Sequence, residues 1–178
     1  MAYSGNCSHI HHTSCRYETP EANQQTHRAG ENYKQFRAAV ASEGLFTEYP
    51  DLRFWKPAGV GFMTRSPVSF MGDRKGEKQY FAVQELSPAD GGKAMLLEIL
   101  AEIAGRAQSS EKVNGFWVLD RVDPQDGEDV VVVSRFDNQA DYDAFAQEEG
   151  EAWKRASGLA KAATTTTWIE SGIGFLDR

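Results

Sequence analysis

Three groups of side chains in this 178-residue chain have the types and spacing for chemistry. The first is Cys7, His9, His11, His12 and Cys15, which offer enough thiolate and imidazole for a tetrahedral zinc site within nine residues. Structural zinc sites draw on two ligand pairs set apart along the chain, with a folded loop between them. No second cluster exists here, so no metal is expected. The second group is RFWKPAGVGFMTRSP at 53–67, where two arginines, a lysine and large aromatics including Trp55 have the makings of a lid whose cations meet a carboxylated or phenolic ligand. Packing with charged stems outward explains the same residues. The third group lies in the second half of the chain. Trp117 or Phe116 can wall a site for a flat ligand, Gln84 can hydrogen-bond a ligand carbonyl, and Arg121, Arg135, Asp120, Glu85 and Tyr142 supply cations and proton-transfer groups. Each has a structural alternative: Trp117 as core or interface, Asp120 and Arg121 as solvated turn residues, Arg135 in a cross-strand pair, Gln84 satisfying a backbone group.

The elements that must position these residues follow from periodicity. Residues 1–30 show no period of 2 or 3.6 and little apolar area, which predicts a flexible polar tail. Tyr33, Phe36, Val40 and Ala41 recur at spacings of three and four before Gly44, which predicts a short amphipathic helix over 31–43. Glycines and prolines between 45 and 78 exclude a long helix, while Phe46, Tyr49, Phe54, Trp55, Phe62 and Phe70 are costly to leave in water. That segment is expected to be an ordered, irregular arm with room for a short strand at Val60–Thr64.

From residue 79 onward the pattern is regular. QYFAVQEL (79–86) reads as a strand and Ala89–Gln108 as a helix with a stripe of Leu96, Ile99, Leu100, Ile103 and Ala107. VNGFWVLDR (113–121) and EDVVVVSRF (128–136) read as strands joined through Pro124–Gly127. A helix capped at Asp137 or Asn138 carries Tyr142, Phe145 and Ala146 inward, then continues or restarts after Gly150, and TTTTWIESGIGF (164–175) closes as a strand. Trp153 and Trp168 are expected in the core. The order β-α-β-β-α-β is that of an α+β ferredoxin-like unit over 79–178, preceded by the tail at 1–30 and the helix and arm at 31–78. Two helices cover one face of its sheet. FWVL and VVVV put apolar groups on both faces, so the other face needs a cover: a second copy of the chain, which is favoured, or the arm. Asn114, Phe116, Val118 and Asp120 share one face of their strand and Trp117, Leu119 and Arg121 the other, with Ser134 and Arg135 on opposite sides of the next strand; the set that faces away from the helices would line a pocket walled by Trp117 or Phe116.

The segment from Gln79 to Asp177 resembles the antibiotic-biosynthesis monooxygenase type of domain in the dimeric α+β barrel superfamily. The likeness rests on YFAVQELSP running into a helix, on the hairpin NGFWVLDRVDPQDGEDVVVVSRF, and on the junction SRFDNQADYDAF. That family carries a tryptophan near the end of its third strand and a histidine on its second helix; those positions read Phe136 and Phe145 here. The resemblance implies a homodimeric enzyme that handles a small hydrophobic or aromatic molecule: in some members an oxidoreductase of secondary metabolism that oxygenates a polyketide-type phenol without a cofactor, in others haem degradation, a related isomerase or lyase activity, or no known chemistry. Deprotonating a phenolic ring lets the anion pass an electron to dioxygen. Arg135 or Arg121 would stabilise that anion, with Asp120, Glu85 or Tyr142 as proton acceptor, and Trp117, Phe116, Gln84, Ser134 and Trp55 would bind the substrate. The alternative is a non-catalytic homodimer of the same fold that binds a ligand or acts as a scaffold. Haem chemistry is disfavoured, because all four histidines lie at or before residue 27.

Composition narrows the partners. The 26 acidic and 19 basic residues give a net charge of −7, which repels a phosphate backbone, so no nucleic acid is expected. No apolar run approaches the roughly 20 residues of a membrane span, and no signal sequence is evident; a cytoplasmic protein is the expectation.

Overall fold

A computed structural model of the chain describes residues 21–44, 53–64, 78–122 and 127–169. The Cys7–Cys15 cluster, the turn at 123–126, most of the expected arm and the end of the final expected strand lie outside the described residues. The chain divides into two compact units, Met1–Leu52 and Arg53–Arg178.

In the first unit, helix α1 spans Glu31–Glu43, and Gly44 closes it with a left-handed φ of 60° that a Cβ would disfavour. Part of the segment expected to be a tail is ordered: Ala22–His27 forms a π-helical turn, Arg28 N donates to the Asn23 carbonyl at 2.8 Å, and the His27 ring lies 5.0 Å from that of Tyr33.

The second unit is a five-stranded antiparallel sheet with three helices on one face. Its elements are β1 (Trp55–Phe62), β2 (Tyr80–Pro88), α2 (Lys93–Ser109), β3 (Val113–Arg121), β4 (Val130–Phe136), α3 (Gln139–Glu148), α4 (Gly150–Gly158) and β5 (Ala160–Ile169), and the spatial order is β1-β3-β4-β2-β5. From β2 onward this is the α+β ferredoxin-like fold, with β2 central and paired to both β4 and β5. Asn138 caps α3 by accepting from Asp141 N at 3.0 Å, and the second helical stretch restarts at Gly150 as a separate helix. Helix α2 begins at Lys93 rather than at the expected Ala89, because Gly91 takes φ 73° and ends the corner before it.

The core lies between the sheet and the helices. Tyr80, Ala82, Leu86, Phe116, Val118, Val130, Val132 and Phe136 meet Leu96, Ile99, Leu100, Ile103, Ala107 and Phe145 there. The Phe145 ring meets that of Phe116 edge-on at 6.5 Å and that of Phe136 at a tilt at 6.0 Å. The two positions at which the resembling family carries tryptophan and histidine therefore touch, as two phenyl rings.

The expected short strand in the arm is longer and starts earlier, at Trp55, and it extends the sheet beyond β3. Its register slips between Pro57 and Gly61, and Gly61 takes φ 91°. A Cβ on Gly61 would come within 2.1 Å of the Phe116 carbonyl oxygen, and one on Gly115 within 2.5 Å of that of Met63. Only glycine lets the two backbones approach so closely. Gly61→Ala combines a clash with a strained φ and is expected to destabilise the protein by about 1–3 kcal/mol, measured as a lower urea midpoint at unchanged slope. Gly105→Ala, a helical site with open space around its Cβ, is the control that should not destabilise it.

Candidate functional site

Strand alternation divides the sheet into two faces, and the register shows what each presents. The face away from the helices is layered in rows across the strands. One row runs Trp168, Phe81, Arg135, Gly115, and the next Thr166, Val83, Val133, Trp117. Then come Thr164, Glu85, Val131, Leu119, and last a charged row with Arg121 opposite Trp55. Apolar side chains fill the middle of this open face, and a cation stands at each end.

The two ends differ in chemistry. At one, the Arg121 guanidinium lies 4.5 Å from the centroid of the Trp55 ring, and its Nη2 donates to Asp129 Oδ2 at 3.2 Å. Ser87 Oγ donates to Asp129 Oδ1 at 2.6 Å, and Arg53 Nη1 donates to Glu85 Oε2 at 2.9 Å. At the other end, Arg135 is 0 % exposed, and its Nη2 donates to the Asn114 carbonyl at 3.4 Å. The Met63 carbonyl passes beside it at Gly115, so the chain leaving β1 crosses this corner of the open face. Asp129, just before β4, and Arg135 within it are six residue steps apart, roughly 20 Å at the rise of a strand. The two arginines cannot meet on one small ring.

The other five residues singled out from sequence lie on the helix side or in a helix. Phe116 is fully buried against Phe145 and Trp153, so it is core and does not wall the open face. A register shift between Val113 and Gly115 lets Val113 and Phe116, three apart, both reach that core. Ser134 is buried, its Oγ donating to the Ala82 carbonyl at 3.4 Å. Asp120 accepts from Lys93 Nζ at 2.6 Å and so ties β3 to the start of α2. Tyr142 packs on Tyr80 and Phe136, and burial, then Tyr80 and Asp143, push its phenol above the ordinary value, so it stays protonated at neutral pH and can donate but not accept a proton. Trp168, expected in the core, is half-buried on the open face, where its Nε1 donates to Thr166 Oγ1 at 3.2 Å. It sits on an edge strand whose side chains are largely exposed.

Gln84 also points to the helix side, where it forms the floor of a cleft between β2, β5 and α4. The cleft holds about 80 Å³ and is lined by Gln84, Leu86, Trp153, Ser157, Ala163, Thr164 and Thr165. Sequence reasoning missed the role of α4 here, since Trp153 and Ser157 read only as one face of a helix. Among the described residues, no group of three or more His, Cys, Asp or Glu side chains is placed to hold a metal ion, and no helix is long and apolar enough to cross a membrane.

Asp129 is the titratable group on the open face with a clear perturbation. Burial raises its carboxyl, but hydrogen bonds from Ser87 and Arg121 and the charges of Arg121 and Arg53 outweigh this and hold it below the usual carboxylate value. A depressed folded-state value gives stability that is fully present above the unfolded value, about 4, and is lost as the pH falls through the folded one. Asp129→Asn is therefore expected to lower the urea midpoint at pH 7, and the gap to wild type should narrow steadily as the pH drops below about 4.

No family model matches the chain, and no curated protein matches it. Solved structures do. An anthrone oxidase-like protein is 19 % identical, over 83 % of this chain and 65 % of its own, with a TM-score of 0.56. A candidate monooxygenase from Lactobacillus acidophilus is 11 % identical, over 84 % and 67 %, with a TM-score of 0.58. Another from Fusobacterium nucleatum is 10 % identical, over 87 % and 68 %, with a TM-score of 0.55. At these identities the likeness is one of fold, and the α+β ferredoxin-like architecture of this chain is the one those three proteins share.

Proposed function

We propose that the chain acts as a homodimer of the α+β barrel type, open sheet faces together, and that it is an enzyme of the cofactor-independent monooxygenase kind acting on an aromatic or polyketide-type phenol. The observation that carries this reading is the apolar middle of the open face. Val83, Val131, Val133, Trp117 and Leu119 form a continuous apolar patch on the side of the sheet away from α2, α3 and α4; Val83 and Val131 are buried and the other three half-buried within the single chain, and the half-buried part is the surface that a second copy would complete. The likeness in fold to an anthrone oxidase-like protein and to candidate monooxygenases supports the chemical half of the reading.

The chemistry asks for little from the protein. An activated ring methylene loses a proton, its anion gives an electron to dioxygen, and the two radicals combine. Loss of water leaves a carbonyl, so one oxygen atom ends in the product and the other in water, with both electron pairs drawn from the substrate. The open face can assist in two ways. Arg121 and Arg135 put positive charge at its ends, which favours the anion; Arg135, wholly enclosed, acts through its field, and Arg121 is the one that a ring held against Trp55 would touch. Glu85 is a carboxylate on the same face and the proton acceptor of the proposal, released from Arg53 when substrate binds. Asp120 and Tyr142, on the other side of the sheet, have no part in it.

A second reading is a non-catalytic dimer of the same fold. It is favoured by the ion pairs in which Arg121 and Glu85 are already engaged.

Two measurements test these points. Sedimentation of the purified chain is expected to give a dimer, and Val133→Asp, which sets a carboxylate in the middle of the apolar patch, a monomer; a wild-type protein that sediments as a single copy removes the dimer. Oxygen uptake on a panel of anthrone- and naphthol-type phenols, without flavin or metal, is expected above background, with Glu85→Gln slower by about 100-fold. Absence of uptake across the panel removes the oxygenase and leaves the non-catalytic reading.

A further inference from the structure

One ion pair reaches across the open face. Arg53 stands just before β1, and Phe54 beside it is held at the end of β3, its carbonyl accepting from Val122 N at 3.1 Å. Glu85 belongs to β2, and β3 and β4 lie between. Arg53 Nη1 nevertheless donates to Glu85 Oε2 at 2.9 Å, so the two long side chains meet across the intervening strands, and the Arg53 charge is felt at Asp129 just before β4. Arg121 and Asp129 form a second pair at the same corner. The two pairs differ in exposure: the Arg121 and Asp129 side chains are 11 % and 27 % exposed, those of Arg53 and Glu85 35 % and 40 %. An ion pair that open to water holds weakly and exchanges partners readily. The Arg53–Glu85 pair is the part of this corner that can open.

We infer that this pair is a latch opened by the ligand's own carboxylate, so that the open face takes aromatic acids, with Arg53 as the residue that selects them. This rests on Glu85 being the proton acceptor of the proposed oxygenation. While Arg53 holds it, the Glu85 carboxylate must lose a cation before it can accept the ring proton, and a neutral phenol brings nothing to replace it. A carboxylate does: its two oxygens match the guanidinium fork, so Arg53 exchanges one carboxylate for another and Glu85 is left facing the ring. Arg53 is the partner that yields, since it lies outside the strand ladder, whereas Glu85 is paired on both sides, to Val131 and Thr164. The ring then lies between Leu119 and Trp55, one face of which is already taken by the Arg121 guanidinium at 4.5 Å. A ligand cation would open the same pair from the other side, but by occupying Glu85 it would block the proton acceptor, so the acid is the productive ligand.

Benzoate, the uncharged benzamide and benzylammonium, similar in size and different in charge, are the probes. Titrations followed on the indole N–H signal of Trp55 are expected to show benzoate binding about tenfold tighter than benzamide in wild type, and no such preference in Arg53→Gln. Glu85→Gln, with no internal carboxylate left to compete for Arg53, is expected to bind benzoate more tightly than wild type does. Glu98→Gln, an equal change of charge at an exposed position of α2, should leave that affinity unchanged. The latch is overturned if benzoate binds no better than benzamide, if its preference survives Arg53→Gln, or if the ammonium binds tightest of the three. Oxygen uptake decides the chemistry separately. Equal uptake on anthrone and on an anthrone carboxylate, with no acid preference at Trp55, removes the latch and keeps the oxygenase. Acid preference at Trp55 without uptake on any phenol removes the oxygenase and keeps Arg53 as a carboxylate receptor.

Discussion

The fold rests on one apolar layer, the seam where β2, β3 and β4 meet α2 and α3. Phe116, Phe136 and Phe145 make its aromatic centre, Leu96, Leu100 and Ile103 of α2 close it from above, and Val118, Val130 and Val132 are its floor. Each buried side chain of that size contributes about 1.5–3 kcal/mol. Because strand side chains alternate, committing every second residue of three strands to this layer decides where all the others go. The open face is what remains, and its valines are apolar because a central strand in such a sheet is buried from both sides.

The same commitment sorts the residues with chemical potential. Arg121 and Asp120 are neighbours in sequence, yet one reaches the open face to meet Asp129 and Trp55 while the other reaches the helices to meet Lys93. A cation and a carboxylate that look like a catalytic pair in the sequence are thus held a sheet's thickness apart. The aromatic centre has a similar effect on the helix side. With phenyl groups at 136 and 145 and a protonated Tyr142 against them, it carries no group that can take up a proton at neutral pH.

Most of the architecture was legible in the sequence because its signals are periodic. The stripe on α2, the alternation in β3 and the valine run in β4 each carry four or more apolar positions, and the start of α3 is announced by two adjacent capping side chains, Asp137 and Asn138, of which the structure uses Asn138. Three features were not legible. The full extent of β1 is hidden by Pro57, Gly59 and Gly61, which read as breakers, although Gly61, with Gly115 opposite, is what allows that strand to lie so close against β3. The bulge in β3 shifts alternation by one at Asn114, and no residue type announces it. The cleft at Gln84 depends on how α4 lies over β5, a matter of packing between elements distant in sequence, and Gln84 itself looks like any polar residue on a half-buried strand.

The two borders of the sheet are unlike. Along β1 a proline, two glycines at positive φ and a slip in register break the ladder of outward amide groups, so the backbone there is a poor template for another strand. Along β5 ten residues run on as Ala-Lys-Ala-Ala-Thr-Thr-Thr-Thr-Trp-Ile, with Lys161 as the sole charge. Among the described residues the sheet therefore has a polarity of growth: it is terminated on one flank and extensible on the other, and any additional strand, whether from a neighbour or from an aggregate, would be recruited at the threonine border.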